Sequence, residues 1–231
     1  MGGRGMGSAT SRKGASKGPR SVSDSIAKLK GIGLNMRADY ENELQGLGDR
    51  FAHDMADQLE KLEGKYGAIA ENSDGGGMNM SIGKRMGGTF AYVSRYRGTT
   101  RIIDFRISAD RDYKSLNDKV KSSHDSNWMS KTKLSGIQQI ATHEYGHILQ
   151  FTMAKKAGKT DERGIGAFAS GQKKSIMNIA KKKYGATADD VSRYALTNSK
   201  EFFAEAFTSA VGGSPNAIGK AFNDYMDKYL R

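Results

Sequence analysis

The segment His143-Glu144-Tyr145-Gly146-His147 places two imidazoles four residues apart. On a helix this spacing brings both side chains to one face, where their neutral nitrogens can bind a single tetrahedral Zn²⁺. Glu144 follows the first histidine and can take a proton from a water that the zinc activates, while the zinc polarises a scissile carbonyl. The pattern predicts zinc-dependent hydrolysis, and its alternative is a helix that carries two surface histidines.

A zinc hydrolase of this kind needs a third protein ligand. The chain has no cysteine, and we expect His53 and His124 to be ordinary polar residues. Glu201 and Glu205 lie four residues apart in an otherwise almost wholly apolar segment. Two buried carboxylates one turn apart repel each other and lose hydration unless a positive group, such as a metal with its histidines, compensates. A capping box from Asn198 is an alternative explanation for Glu201, but it leaves Glu205 unexplained.

Two separated motifs together resemble a known family. The segment His143 to His147 is followed by Tyr194 and, seven residues later, by Glu201-Phe202-Phe203-Ala204-Glu205-Ala206-Phe207. This combination is similar to the gluzincin metallopeptidases related to the catalytic domain of anthrax toxin lethal factor. The resemblance extends loosely over residues 85–231 and does not include the N-terminal half.

The resemblance implies a role for each residue of the two motifs. His143, His147 and Glu201 would bind zinc, and Glu144 would be the general base. Tyr194 would stabilise the oxyanion or protonate the leaving group. Glu205 would hydrogen-bond a ligand histidine.

The elements that position these residues follow from apolar periodicity. Helices are predicted at about 134–155, 171–184, 187–195, 199–212 and 216–230. Strands are predicted at Thr89–Arg95 and Arg101–Ile107, around a turn at Gly98. Gly146 is unfavourable inside its helix unless another segment approaches it closely.

We therefore expect an α+β, zincin-like fold. It would be mostly helical with a small β-sheet, an active-site helix and a glutamate-bearing helix flanking the metal. In such folds an edge strand beside the cleft pairs with an extended peptide. Arg101–Ile107 is the expected edge strand, with Thr89–Arg95 as the alternative.

The N-terminal part divides by composition. Residues 1–20 are basic and rich in glycine and serine, which predicts a disordered tail. Residues 21–70 form an amphipathic helical region that could dock on the catalytic domain, residues 85–231, or on a partner helix. Asn72–Gly77 is expected to be a turn or linker. The apolar stripe of the helical region consists of Met36, Tyr40, Leu44, Leu47, Phe51, Met55, Leu59, Leu62 and Tyr66.

The chain has a net charge of +12, which raises the question of whether it binds a negatively charged partner. The tail could make a weak contact with nucleic acid or another polyanion, or it could simply be solvated. No apolar run is long enough to cross a bilayer, so no membrane contact is expected. The N-terminus has no apolar core of a conventional secretory signal, so a cytoplasmic or virion-associated location is expected.

The function favoured by these observations is a zinc-dependent endopeptidase acting on a protein or peptide. Two alternatives from other classes stay open. One is a phage- or toxin-associated binding or structural protein that holds zinc without turnover. The other is a basic nucleic-acid-associated protein in which the motif is incidental.

Overall fold

A computed structural model describes residues 21–72, 78–83, 91–95, 102–108 and 112–229. The 1–20 tail, most of the Asn72–Gly77 linker and the Gly98 turn were predicted from sequence and lie outside these residues. Within the described ranges the chain is mostly helical with one small sheet, which confirms the α+β class.

The elements are numbered in chain order. The α-helices are α1 (Val22–Gly31), α2 (Ala38–Gly46), α3 (Asp49–Tyr66), α4 (Ala68–Asn72), α5 (Tyr113–Asp125), α6 (Gly136–Lys156), α7 (Glu162–Tyr184), α8 (Ser199–Val211) and α9 (Ala217–Tyr229). The strands are β1 (Leu34–Met36), β2 (Met78–Gly83), β3 (Ala91–Arg95) and β4 (Ile102–Ser108). None of the helices in the described part of the chain has the length and apolar character needed to cross a bilayer.

The four strands form one mixed sheet in the order β1-β2-β4-β3. β1, β2 and β4 run parallel, and β3 runs antiparallel to β4. The expectation that Arg101–Ile107 is the edge strand is wrong, because β2 pairs with the other side of this strand. Among the described strands β3, from the alternative range Thr89–Arg95, lies at one edge of the sheet and packs against α6.

Helix α6 is the centre of the fold. It begins at Ser135, whose side chain and that of Gln138 form a capping box. Every residue from Gln139 to Ala154 is buried, since α3, α4, α5, α8 and β3 all pack around this helix. A helix buried on all sides needs partners for its polar side chains, and those partners build the site described below.

The N-terminal helical region packs onto the rest of the chain. Its predicted stripe is interrupted, because Gly48 has a φ of 85° between α2 and α3, and Met36 lies in β1. The buried face of α3, which includes Phe51 and Leu59, packs against α6. β1 pairs with β2 in the sheet. Docking on the chain itself, rather than on a partner helix, is therefore what the structure shows for α3.

Two predicted helix boundaries differ from the structure. Helix α7 begins at Glu162 instead of about residue 171, because the Asp161 carboxylate caps it by accepting from the Gly164 N–H at 2.7 Å. The predicted helix over 187–195 is wrong. This segment contains two 3₁₀ turns, Ala188–Asp190 and Tyr194–Leu196.

The backbone partners of the second turn explain the difference. The N–H of Arg193 donates to the Asn127 carbonyl at 2.8 Å, and the N–H of Tyr194 donates to the Trp128 carbonyl at 2.9 Å. These N–H groups are therefore not available to continue an α-helix. The same contacts tie Tyr194 to the loop that follows α5.

Candidate metal centre

The two histidines of α6 face the crossing helix α8. Their ring centroids are 4.9 Å apart, as expected for residues one turn apart on a helix. The close crossing depends on Gly146. An added Cβ there would lie 3.0 Å from the Ala204 Cα and 3.2 Å from Phe207 Cδ1. This confirms the expectation that another segment approaches Gly146.

Glu201 lies between the two histidines. Its Oε2 is 3.0 Å from His143 Nε2 and 3.3 Å from His147 Nε2. Ligand atoms from the three residues all lie within 4.8 Å of one another, so this group could hold a metal ion. Two imidazole nitrogens and one carboxylate oxygen are a donor set that suits Zn²⁺.

Asn198 caps α8 as the capping alternative predicted, but this does not account for the Glu201 side chain. Asn198 caps α8 with its own side chain, which accepts from the N–H groups of Lys200 and Glu201 at 2.9 and 3.0 Å. The Glu201 carboxylate is directed to the histidines instead.

Glu205 contacts the other nitrogen of His143. Its Oε1 is 3.0 Å from His143 Nδ1, and its Oε2 accepts from the Ser130 N–H at 2.6 Å and the Ser192 hydroxyl at 2.8 Å. A carboxylate in this place holds the proton on Nδ1 and leaves Nε2 free to bind a metal. Glu205 therefore orients His143.

The buried carboxylates depend on nearby positive charge. Burial acts to raise the pKa of Glu201, but hydrogen bonds from His143 and His147 lower it far below its usual value. Burial also acts to lower the pKa of His143, but the hydrogen bonds to Glu201 and Glu205 raise it to about 10. These carboxylates thus require positive charge at His143, and a divalent cation bound there would supply it.

Glu144 is buried beside this group. Among the described residues no group hydrogen-bonds its Oε2. The pKa of Glu144 is raised, first by burial and then by the charge of Glu201, although His143 and His147 oppose the shift. A buried carboxylate oxygen without a partner is unfavourable, and a water or a transferable proton would satisfy it. A carboxylate in this position could accept a proton from a bound water.

Tyr194 covers one face of His143. The two rings are stacked, with centroids 5.4 Å apart and an interplanar angle of 22°. Burial raises the pKa of Tyr194, and the charges of Glu201, Glu144 and Glu205 raise it further. The phenol is therefore protonated at neutral pH and can donate a hydrogen bond.

The group opens onto a cleft of about 550 Å³. One wall is β3, with Tyr92 and Val93, and the opposite wall is α7, with Gly166, Ala169 and Ser170. Glu144, His147, Tyr194 and Glu201 also line the cleft. The structure thus brings four of the predicted site residues to one cleft, while His143 and Glu205 are buried and do not line it.

Several contributors were not found from the sequence. The α7 wall was missed because the helix was predicted to begin only at about residue 171. Ser130 and Ser192 could not be predicted from sequence spacing, because each contacts Glu205 only in the folded chain. Trp128 is the single tryptophan of the chain, and no spacing pattern links it to the site.

The other two histidines lie outside the candidate metal centre. His53 Nε2 is 3.3 Å from the Ser21 carbonyl, and His124 Nε2 is 2.8 Å from Gln139 Oε1. The expectation that both are ordinary polar residues agrees with these contacts.

We compared the chain with known protein families, curated proteins and solved structures. No protein-family model matches the chain, and neither the curated proteins nor the solved structures contain a significant match.

Proposed function

We propose that this protein is a zinc-dependent endopeptidase with a zincin-like catalytic domain of the gluzincin type. The observation that carries the proposal is the convergence of three features on one cleft. These features are the His143, His147 and Glu201 group, the unpartnered Oε2 of Glu144, and the stacked Tyr194.

The three ligand residues would hold Zn²⁺, and Glu205 would fix the orientation of His143 through Nδ1. When bound, zinc lowers the pKa of water and polarises a carbonyl oxygen. Three protein ligands beside an open cleft are typical of catalytic zinc, whereas a structural zinc is usually closed by four protein ligands.

Glu144 would transfer protons during the reaction. Its Oε2 accepts a proton from the attacking water as the new C–O bond forms. It then delivers that proton to the amide nitrogen as the C–N bond breaks, which leaves a free amine and a carboxylic acid. Burial raises the pKa of Glu144, which favours the protonated form that the second step needs.

Tyr194 would act on the carbonyl oxygen of the scissile bond. Negative charge develops on this oxygen in the transition state, and a phenol that stays protonated can donate a hydrogen bond to it. The pKa of Tyr194 is raised by burial and by the neighbouring carboxylates, which keeps the donor proton in place.

The substrate would be an extended peptide lying along β3. Among the described strands β3 lies at an edge of the sheet, and it lines the cleft through Ala91, Tyr92 and Val93. Peptides commonly add to such an edge by main-chain hydrogen bonds.

The test is to measure metal content and peptide hydrolysis on the same purified full-length protein. We expect bound zinc and cleavage of a mixed peptide library that stops with a chelator. In Glu144→Gln we expect zinc content to be kept and turnover to fall by about 10²- to 10⁴-fold, because only the base is lost.

Glu71→Gln is a matched control, since it makes the same chemical change at an exposed position on α4. It should keep both zinc and turnover. A zinc-loaded protein that cleaves no peptide, or undiminished turnover in Glu144→Gln, would contradict the proposal.

A further inference from the structure

Three aromatic rings are stacked from the surface to the candidate metal centre. Trp128 stacks on Tyr194 with centroids 5.7 Å apart and an interplanar angle of 25°, and Tyr194 stacks on His143. Tyr194 thus lies between an imidazole that would bind the metal and an indole. Trp128 is the only tryptophan of the chain, and it is 44% exposed.

Backbone hydrogen bonds also connect Trp128 and Tyr194. The Trp128 carbonyl accepts the Tyr194 N–H at 2.9 Å, and the Trp128 N–H donates to the Ser123 carbonyl at 2.8 Å. Asn127, which has a φ of 53°, accepts from the Arg193 N–H at 2.8 Å, and its side chain reaches the Val191 carbonyl at 3.3 Å. The loop after α5 is therefore a support for the 3₁₀ turn that carries Tyr194.

Tyr194 lies on a short turn rather than within a long helix. The turn spans three residues, Tyr194–Leu196, and Leu196 is 62% exposed. A phenol on so short a turn depends on neighbouring groups for its exact position. The ring of Tyr194 stacks on both His143 and Trp128, and its hydroxyl interacts with Glu201.

We propose that Trp128 is a positioning residue for the reaction. Its indole stacks on the outer face of Tyr194 and holds the phenol hydroxyl where it can donate to the developing oxyanion. This inference rests on the proposed peptidase function. Trp128 need not touch the reacting atoms, and its whole effect passes through Tyr194.

The kinetic test uses Trp128→Ala, Trp128→Phe, Tyr194→Phe and the double variant Trp128→Ala/Tyr194→Phe. We expect Trp128→Ala to lower kcat by about ten- to a hundred-fold, because small misplacements of a catalytic group have effects of this size. KM, zinc content and Tm should stay close to wild type, since the indole is half exposed. Trp128→Phe keeps a stacking ring and should restore most of kcat.

The double variant separates positioning from a general structural role. If Trp128 acts only through the Tyr194 hydroxyl, Trp128→Ala should have no further effect on kcat once Tyr194→Phe has removed that hydroxyl. An equal further loss in the double variant, or wild-type kcat in Trp128→Ala, would overturn the proposal.

The fluorescence of Trp128 gives a readout that does not depend on turnover. Tyr194→Ala uncovers one face of the only indole, so we expect its emission to shift to longer wavelength. Tyr229→Ala, a control on α9, should leave the emission unchanged. An unchanged emission in Tyr194→Ala would show that the stack is absent in solution and would overturn the proposal.

The two measurements also distinguish this inference from the proposed function. A zinc-loaded wild type that cleaves no peptide, together with an emission shift in Tyr194→Ala, would overturn the peptidase function and the catalytic role of the stack with it. An active wild type whose kcat is insensitive to Trp128→Ala would overturn the positioning role alone.

Discussion

Glu201 and Glu205 have the same side chain and lie on the same face of α8, yet their surroundings give them different roles. Glu201 Oε2 lies beside the Nε2 atoms of both histidines. Glu205 meets only Nδ1 of His143, and its other oxygen is taken by Ser130 and Ser192. One carboxylate can therefore contact a metal, while the other acts on a ligand.

This difference predicts unequal losses of zinc. Glu201→Ala should lose zinc almost completely on dialysis, because a ligand oxygen is removed. Glu205→Ala should weaken zinc affinity by about ten- to a hundred-fold, the usual effect of removing a partner of a ligand histidine. Competition against a chelator of known affinity measures both.

Ser192→Ala removes one of the partners of Glu205 and serves as a graded control. It should weaken zinc binding less than Glu205→Ala does. If Glu205→Ala lost zinc and Glu201→Ala retained it, the ligand assignment would have to move to Glu205.

For single residues, the sequence could predict a role where the partners lie close together in the chain. The spacing of His143 and His147 lies within one helix turn, so the pair could be recognised directly. The choice of Glu201 over Glu205 needed the resemblance to gluzincins, since both lie on one helix face. Ser130 could not be found, because it meets Glu205 across 75 residues of chain with no pattern to mark it.

Among the elements, the crossing of α6 and α8 controls the geometry of the site. Gly146 lets the two helices approach, since a Cβ at this position would lie 3.0 Å from the Ala204 Cα, which is backbone and cannot move aside easily. The histidines of α6 and the glutamates of α8 are brought together by this contact.

Gly146→Ala should therefore destabilise the protein by about 1–3 kcal/mol through overpacking. This loss should exceed the gain in helix propensity, which is at most about 1 kcal/mol for this exchange. Unfolding in urea, followed by circular dichroism, measures the change. Zinc affinity should fall as well, because the ligands on the two helices move apart.

Gly171→Ala and Gly64→Ala are the matched controls. Both glycines lie within helices, and nothing lies within 4 Å of an added Cβ at either position. Each variant should be stabilised by about 0.5–1 kcal/mol. A Gly146→Ala variant that gained stability like these controls would show that the helices do not cross as described.

The elements themselves were predictable where local signals agree. Helix α6 begins at the Ser135 capping box, and α8 begins at Asn198, close to the predicted boundaries. The start of α7 was missed because Gly164 and Gly166 resemble helix breakers, although Asp161 caps this end. β1 and β2 were missed because they are short and their pairing joins segments far apart in sequence.

For the whole molecule, the N-terminal helices support α6 from the side opposite the candidate metal centre. Gln58 on α3 donates to the Thr142 hydroxyl at 2.8 Å, and the Tyr145 hydroxyl donates to Glu63 at 2.7 Å. Thr142 and Tyr145 flank the two motif residues His143 and Glu144. Buried polar contacts of this kind fix the rotation of a helix as well as its position.

This arrangement predicts opposite outcomes for two N-terminal truncations. A chain of residues 21–231 lacks only a tail whose composition cannot build a core, and it should keep the Tm, zinc content and turnover of the full protein.

A chain of residues 85–231 lacks α1–α4, β1 and β2. It would expose the face of α6 that packs on α3 and would leave the buried Tyr145 hydroxyl without Glu63, a loss of about 1–3 kcal/mol for that group alone. We expect this shorter chain to show no cooperative thermal transition by circular dichroism and to bind no zinc at stoichiometric concentration. Tyr145→Phe in the full chain is the milder variant, and it should lower the Tm while zinc stays bound. If the 85–231 chain instead melted cooperatively and bound zinc, residues 21–70 would be an appendage to a self-sufficient catalytic domain, and their contacts with α6 would not be needed to form the site.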